Sequence, residues 1–203
     1  PGDEVEAVLT ARSRQHGHWF ARVRRVVTPG VRRGPFFCGV AAVCGGCRGG
    51  GISYEAQTAW KSAYLQRLFP GAVFVPSPQA AGYRNKVKWI VGRDKEGRVR
   101  LGFYRPGTHR FLPIAHCPQL VPELVQLETD LPDLLQETQP YDEKQDSGYL
   151  KAVFAKSNSC GEILVTFVVA HRLDASQEEI LRKTARLPHV AGVSCNLQPE
   201  RTN

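Results

Sequence analysis

Cys38, Cys44 and Cys47 fall within ten residues, and a fourth cysteine, Cys117, stands far downstream, directly before Pro118. A fold that uses the four together must carry residue 117 back to the 38–47 loop, which ties the middle of the chain to its first third. No secretory leader is expected, so a clustered set reads as metal-binding or redox cysteine rather than a disulfide framework. Four thiolates suit either tetrahedral zinc or a cubane iron–sulfur cluster. Structural zinc sites usually come as two close pairs. Three clustered cysteines with a lone fourth before a proline fit a [4Fe–4S] cluster better, and zinc remains the alternative. Gly45 and Gly46 let the backbone fold tightly around such a core. Cys160 and Cys195 read as a turn residue and a small core residue.

The segment 83–104 reads as a hairpin. Val87, Trp89 and Val91 alternate with Lys86, Lys88 and Ile90, and Val99, Leu101 and Phe103 alternate with Arg100. Pairing residue 89 with 101 puts the apolar set on one side and Arg84, Lys86, Lys88 and Arg100 on the other. Before it, residues 1–35 read as short strands, with Val5–Leu9 and Trp19–Val23 β-favouring. A helix is expected from Tyr54 to Phe69, capped by Ser53 and ended by Pro70-Gly71. After the hairpin, residues 119–147 suggest one helix and a long loop. A β-β-α-β run closes the chain: strands at 149–156 and 162–170, a helix opened by a Ser176–Glu179 capping box, and a last strand at 190–197. The expected fold class is α+β, with a mostly antiparallel sheet in the central domain.

The net charge of +8 is unevenly placed. Residues 1–118 hold 19 Lys/Arg against 6 Asp/Glu, whereas residues 119–147 hold 8 acids and one Lys. Cationic charge gathered in the first half suits a polyanion such as nucleic acid. The run Cys44-Gly-Gly-Cys-Arg-Gly-Gly-Gly lacks the Gly-Lys-Ser/Thr ending of a phosphate loop. His109, His116, His171 and His189 suggest no catalytic triad, and His116 borders Cys117. No apolar run approaches the roughly 20 residues that a membrane helix needs. A soluble, cytoplasmic monomer is the expectation.

Cys38-x5-Cys44-Gly-Gly-Cys47, Tyr54-Glu-Ala-Gln57-x3-Lys61, Tyr83-Arg-Asn-Lys86, Gly102-Phe103 and Cys117-Pro118 follow one another in an order and spacing that resemble a known family. These are the S-adenosylmethionine-dependent RNA uracil-5-methyltransferases, in particular the iron–sulfur branch acting on bacterial 23S ribosomal RNA. The family has an aromatic between the first two cysteines and Gln after the third, where this chain has Val40-Ala-Ala-Val43 and Arg48.

The resemblance implies a TRAM barrel, an iron–sulfur central domain and a methyltransferase domain. It places a partial TRAM-like β segment at 1–34 and the iron–sulfur domain at 35–50 and 82–203. A helical excursion at 51–81 would pack on the methyltransferase domain. The family's nucleophile, base and cofactor motif would lie past Asn203. On that reading this chain supplies the RNA-binding and iron–sulfur portion, contains no catalytic residue, and is inactive alone, with S-adenosylmethionine used only by the full-length protein. The metal ligands would be Cys38, Cys44, Cys47 and Cys117. The contacts to a uracil-containing ribosomal RNA loop would be Arg84, Asn85, Lys86, Lys88 and Arg100. The rival reading is a non-catalytic RNA-binding module with a structural four-cysteine metal site. A small electron carrier fits less well.

Overall fold

The computed structural model describes residues 2–31, 33–34, 38–47 and 49–200. Arg48 and Asn203, each named above, lie outside them, as does residue 35 at the end of the expected strand segment. The chain forms two compact units, 1–37 with 48–77, and 38–47 with 78–203. Among the described residues, no helix is long and apolar enough to cross a membrane.

The first unit contains β1 (Glu4–Arg12), β2 (Trp19–Thr28) and α2 (Tyr54–Leu68), with α1 intervening in sequence at Ala41–Cys44. β1 and β2 pair as an antiparallel hairpin whose register slips at three places. Such irregularities strengthen the local twist. Arg25 donates to Glu6 at 2.8 and 2.6 Å across the two strands. The described residues of this unit form a two-stranded hairpin and no closed barrel, so a TRAM barrel is not seen in them. α2 starts where Ser53 Oγ accepts from the Ala56 amide at 3.2 Å. It buries none of its residues, and Trp60, Tyr64 and Leu68 are all exposed along one stripe.

The second unit is built on a six-stranded sheet. Its strands are β3 (Lys86–Arg93), β4 (Val99–Tyr104), β5 (Phe111–Pro113), β6 (Leu150–Ser157), β7 (Ile163–Val169) and β8 (Val190–Leu197), in the order β5-β4-β3-β6-β7-β8. All neighbours are antiparallel except β7 and β8, which are parallel. Parallel neighbours need a crossover, and α4 (Ala175–Thr184) supplies it. α3 (Pro122–Leu134) precedes β6. The mostly antiparallel α+β expectation therefore describes this unit.

Alternation decides which face is buried. Val87, Trp89, Val91, Val99, Leu101, Val153, Val165 and Phe167 share one core with Leu124, Leu127 and Leu131 of α3, and Ile180 and Leu181 of α4 pack against it. Truncating one of these buried leucines to Ala should cost about 2–5 kcal/mol. Both helices thus lie on one side of the sheet. On the other side Ile90, Ala152 and Val168 form a smaller cluster edged by Tyr104, Phe111 and Phe154. Gly92 is required there, because a Cβ would sit 2.8 Å from the Phe111 ring.

Three local expectations change. The hairpin pairs Val91 with Leu101 and Ile90 with Gly102, two residues away from the 89–101 register. The parity is the same, so each side chain keeps its face, but Arg100 now lies opposite Gly92 rather than beside the lysines. The capping box of α4 is Asp174 with Gln177, two residues before the one expected: Asp174 accepts from the Gln177 amide at 2.8 Å and Gln177 from the Asp174 amide at 3.1 Å. Cys195 is exposed rather than a core residue.

Candidate functional site

The cysteine loop is shaped by its own backbone bonds. The Ala41 amide donates to the Cys38 carbonyl at 3.1 Å and the Cys44 amide to Val40 at 2.8 Å, which makes the single turn of α1. Gly45 ends it in the left-handed region at φ 70°, with the Pro106 ring where a Cβ would project. This position needs glycine twice over.

Cys117 is brought to the same region by a short backbone pairing. The Gly82 amide donates to the Pro118 carbonyl at 2.9 Å, the Arg84 amide to Gln119 at 2.7 Å, and the Val121 amide to Arg84 at 3.0 Å. Arg84 completes the link by donating from Nη2 to the Gly46 carbonyl at 2.9 Å. The lone cysteine and the cysteine loop are therefore tied through one arginine.

All four thiols are half-buried. Burial pushes the Cys47 thiol up; the Arg84 guanidinium opposes this, and Cys44 and Cys38 add to it. Burial also raises Cys117, opposed by the Gln119 amide and reinforced by Glu128 and Cys47. The thiols sense one another through charge. A cation placed among them would relieve that repulsion, and thiolates are soft donors suited to zinc or iron–sulfur centres. The donor set fits such a group. Among the described residues, no three His, Cys, Asp or Glu side chains stand gathered as a metal-ligand set.

Glu128 belongs to the site although nothing in the motifs pointed to it. This carboxylate lies 3% exposed on α3. Oε2 accepts from the Cys117 amide at 2.8 Å and Oε1 from Trp89 Nε1 at 3.0 Å. Burial raises its pKa, against those two hydrogen bonds. An acid at a core position of an amphipathic helix was the signal that could have found it.

The five expected RNA contacts do not form one patch. Arg84 turns to the cysteine loop, and Asn85 donates to the Ser157 carbonyl at 3.3 Å. Arg100 pairs with Asp94 at 2.9 Å in the hairpin turn. Lys86 and Lys88 remain together, their Nζ atoms 5.8 and 5.7 Å from the centre of the Phe154 ring.

No family model matches the chain. It is 31% identical to an uncharacterized RNA methyltransferase of Synechocystis, over 100% of this chain and 46% of that protein. It is 34% identical to another from Thermosynechococcus vestitus, over 86% of this chain and 40% of that one. The chain is related to RNA methyltransferases. It spans about half the length of the curated relatives it matches. Its fold is that of part of the Pyrococcus abyssi tRNA (uracil-54, C5)-methyltransferase solved with S-adenosyl-L-homocysteine: TM-score 0.67, 19% identity, covering 100% of this chain and 46% of that one.

These matches overturn the expectation that the chain is an inactive portion set apart from catalysis. All of it aligns with RNA methyltransferases, and all of it is covered by the fold of one solved with a cofactor product bound. The position of Asn203 carries no weight in placing catalytic residues. The rival reading of a non-catalytic RNA-binding module falls with that expectation.

Proposed function

We propose that this chain acts in an RNA methyltransferase that transfers the methyl group of S-adenosylmethionine to C5 of a uracil. The observation that carries the reading is similarity to RNA methyltransferases along the whole chain. The fold of a uracil C5 enzyme supports the choice of base. The four-cysteine pattern, with the Tyr54 and Tyr83 strings, supports 23S ribosomal RNA as the substrate and a [4Fe–4S] cluster as resident group. Cys38, Cys44, Cys47 and Cys117 would hold that cluster, which would supply a structural cross-link between the loop and the start of α3. Arg84 positions the loop through Gly46, and Glu128 positions Cys117 through its amide. The basic strand at Lys86 and Lys88 would meet the RNA backbone, where each cation can neutralise a phosphate.

The test compares ribosomal and transfer RNA from cells with and without the gene, mapping 5-methyluridine by mass spectrometry. Loss of one 5-methyluridine from 23S RNA, restored by re-expression, is the expected result. Loss from transfer RNA alone would move the substrate, and no loss from either would overturn the reading. Anaerobically purified protein should carry iron and acid-labile sulfide in equal amounts. Colourless protein with stoichiometric zinc would replace the cluster by zinc.

A further inference from the structure

We propose that the open face of the six-stranded sheet is a platform for unpaired RNA, with Phe154 stacking on a base and Lys86, Lys88 and Lys156 holding the flanking phosphates. The proposal rests on the RNA reading above and assigns to it a binding surface on the side of the sheet opposite α3 and α4.

The ladder places the residues. Lys88 pairs with Phe154, Phe154 with Thr166, and Thr166 with Ser194. The next row runs from Lys86 to Lys156, Leu164 and Gly192. Residues directly opposite in a ladder share a face, so these two rows form one surface about 15 Å across four strands. None of its eight positions carries an acid. Three of them are lysines, and Lys86 and Lys156 are exposed. Leu164, 61% exposed, lies between Lys156 and Gly192 in the second row.

The ring at the centre decides the ligand. Phe154 is half-buried, with both β3 ammonium groups within 6 Å of its centroid. An aromatic ring on a sheet, ringed by cations, offers one surface to a base and another to its phosphates. Thr166 Oγ1 and Ser194 Oγ, 2.8 Å apart, lie beside it as hydrogen-bonding groups for a base edge. A paired duplex cannot present a free base face to the ring. Chemistry at uracil C5 needs the target base out of its stack, so unpaired nucleotides beside the target are the expected occupants. An acidic peptide would use the lysines and leave the ring without a role.

The experiment measures binding of fluorescein-labelled decauridylate, and of its duplex with decaadenylate, to the whole chain by anisotropy at two salt concentrations. The variants are Phe154→Leu, Phe154→Tyr and Lys86→Ala with Lys88→Ala, each checked for fold by circular dichroism and thermal midpoint. Phe154→Leu should bind the single strand about tenfold more weakly with an unchanged salt slope, and Phe154→Tyr should bind like wild type. The double lysine variant should show a slope shallower by about 0.7 for each phosphate that is no longer neutralised. Folded Phe154→Leu that binds like wild type, or equal binding of duplex and single strand, would overturn the platform and leave the RNA reading standing. Failure of wild type to bind either RNA would overturn both. Tighter binding of polyglutamate than of decauridylate would assign the face to an acidic protein partner instead.

Discussion

Glu128 shows how one residue couples the core to the cysteine site. Its two carboxylate oxygens are committed in different directions, one to the Trp89 indole at the centre of the sheet and one to the Cys117 amide. Burying a carboxylate is costly unless its hydrogen bonds are made, and here both oxygens have a donor. Glu128→Leu would remove the desolvation cost but leave the buried Trp89 indole N–H without an acceptor, at about 1–3 kcal/mol, and the part-buried Cys117 amide as well, at less. The donor loss outweighs the gain, so the denaturant midpoint should fall by the equivalent of about 2 kcal/mol. Because Cys117 would lose its anchor, iron bound per chain should fall as well. Glu128→Gln keeps one acceptor oxygen and should be milder on both measures. Equal midpoints for Leu and wild type would show that the two hydrogen bonds do not hold this region.

At the scale of elements, the hairpin turn makes a pH-dependent prediction. Asp94 accepts from the Arg98 amide at 2.9 Å and pairs with Arg98 and Arg100 at 3.2 and 2.9 Å. Burial alone would raise its pKa; the Arg100 hydrogen bond, the Arg98 amide and the two guanidinium charges together lower it. A carboxylate with a lowered pKa in the fold stabilises it above the unfolded value of about 4, and that contribution is lost as pH falls through the folded value. Asp94→Asn should therefore lower the thermal midpoint at pH 7, with the difference shrinking below about pH 4. A constant difference across that range would exclude the charge as its source.

Elements were more legible in the sequence than their pairing. Period-two alternation identified the buried faces of β3 and β4, because burial selects every second residue whatever the partner. The register was out by two residues, since a shift of two keeps that alternation and only the Asp94–Arg98 turn decides it. The nearness of Cys117 to the 38–47 loop followed from cysteine chemistry. Glu128 did not, because its role depends on which helix face meets Trp89. Phe154 was likewise hidden: it lies between apolar residues in a strand, and its exposure on the open side follows from both helices occupying the other.

For the whole molecule, burial is divided sharply between the two units. The second unit holds Trp89, Phe167 and Leu124, Leu127 and Leu131 of α3 fully buried, and β6 and β7 each have neighbours on both sides. In the first unit α2 buries no residue, and every position of β1 is exposed. A two-stranded hairpin is at best marginally stable by itself, and a 15-residue helix without a buried face has little beyond its caps and propensity. Local opening free energies run from near zero in such elements up to the global value in a packed sheet. Amide hydrogen exchange followed by mass spectrometry should therefore show β3, β6 and β7 exchanging last, at rates set by global unfolding. β1, β2 and α2 should exchange orders of magnitude faster in the same sample. A core substitution such as Leu127→Ala should accelerate exchange in the sheet by its full cost in stability and leave the rates of β1, β2 and α2 where they were. Equal protection across both units, or acceleration of α2 by Leu127→Ala, would mean that the two units open together.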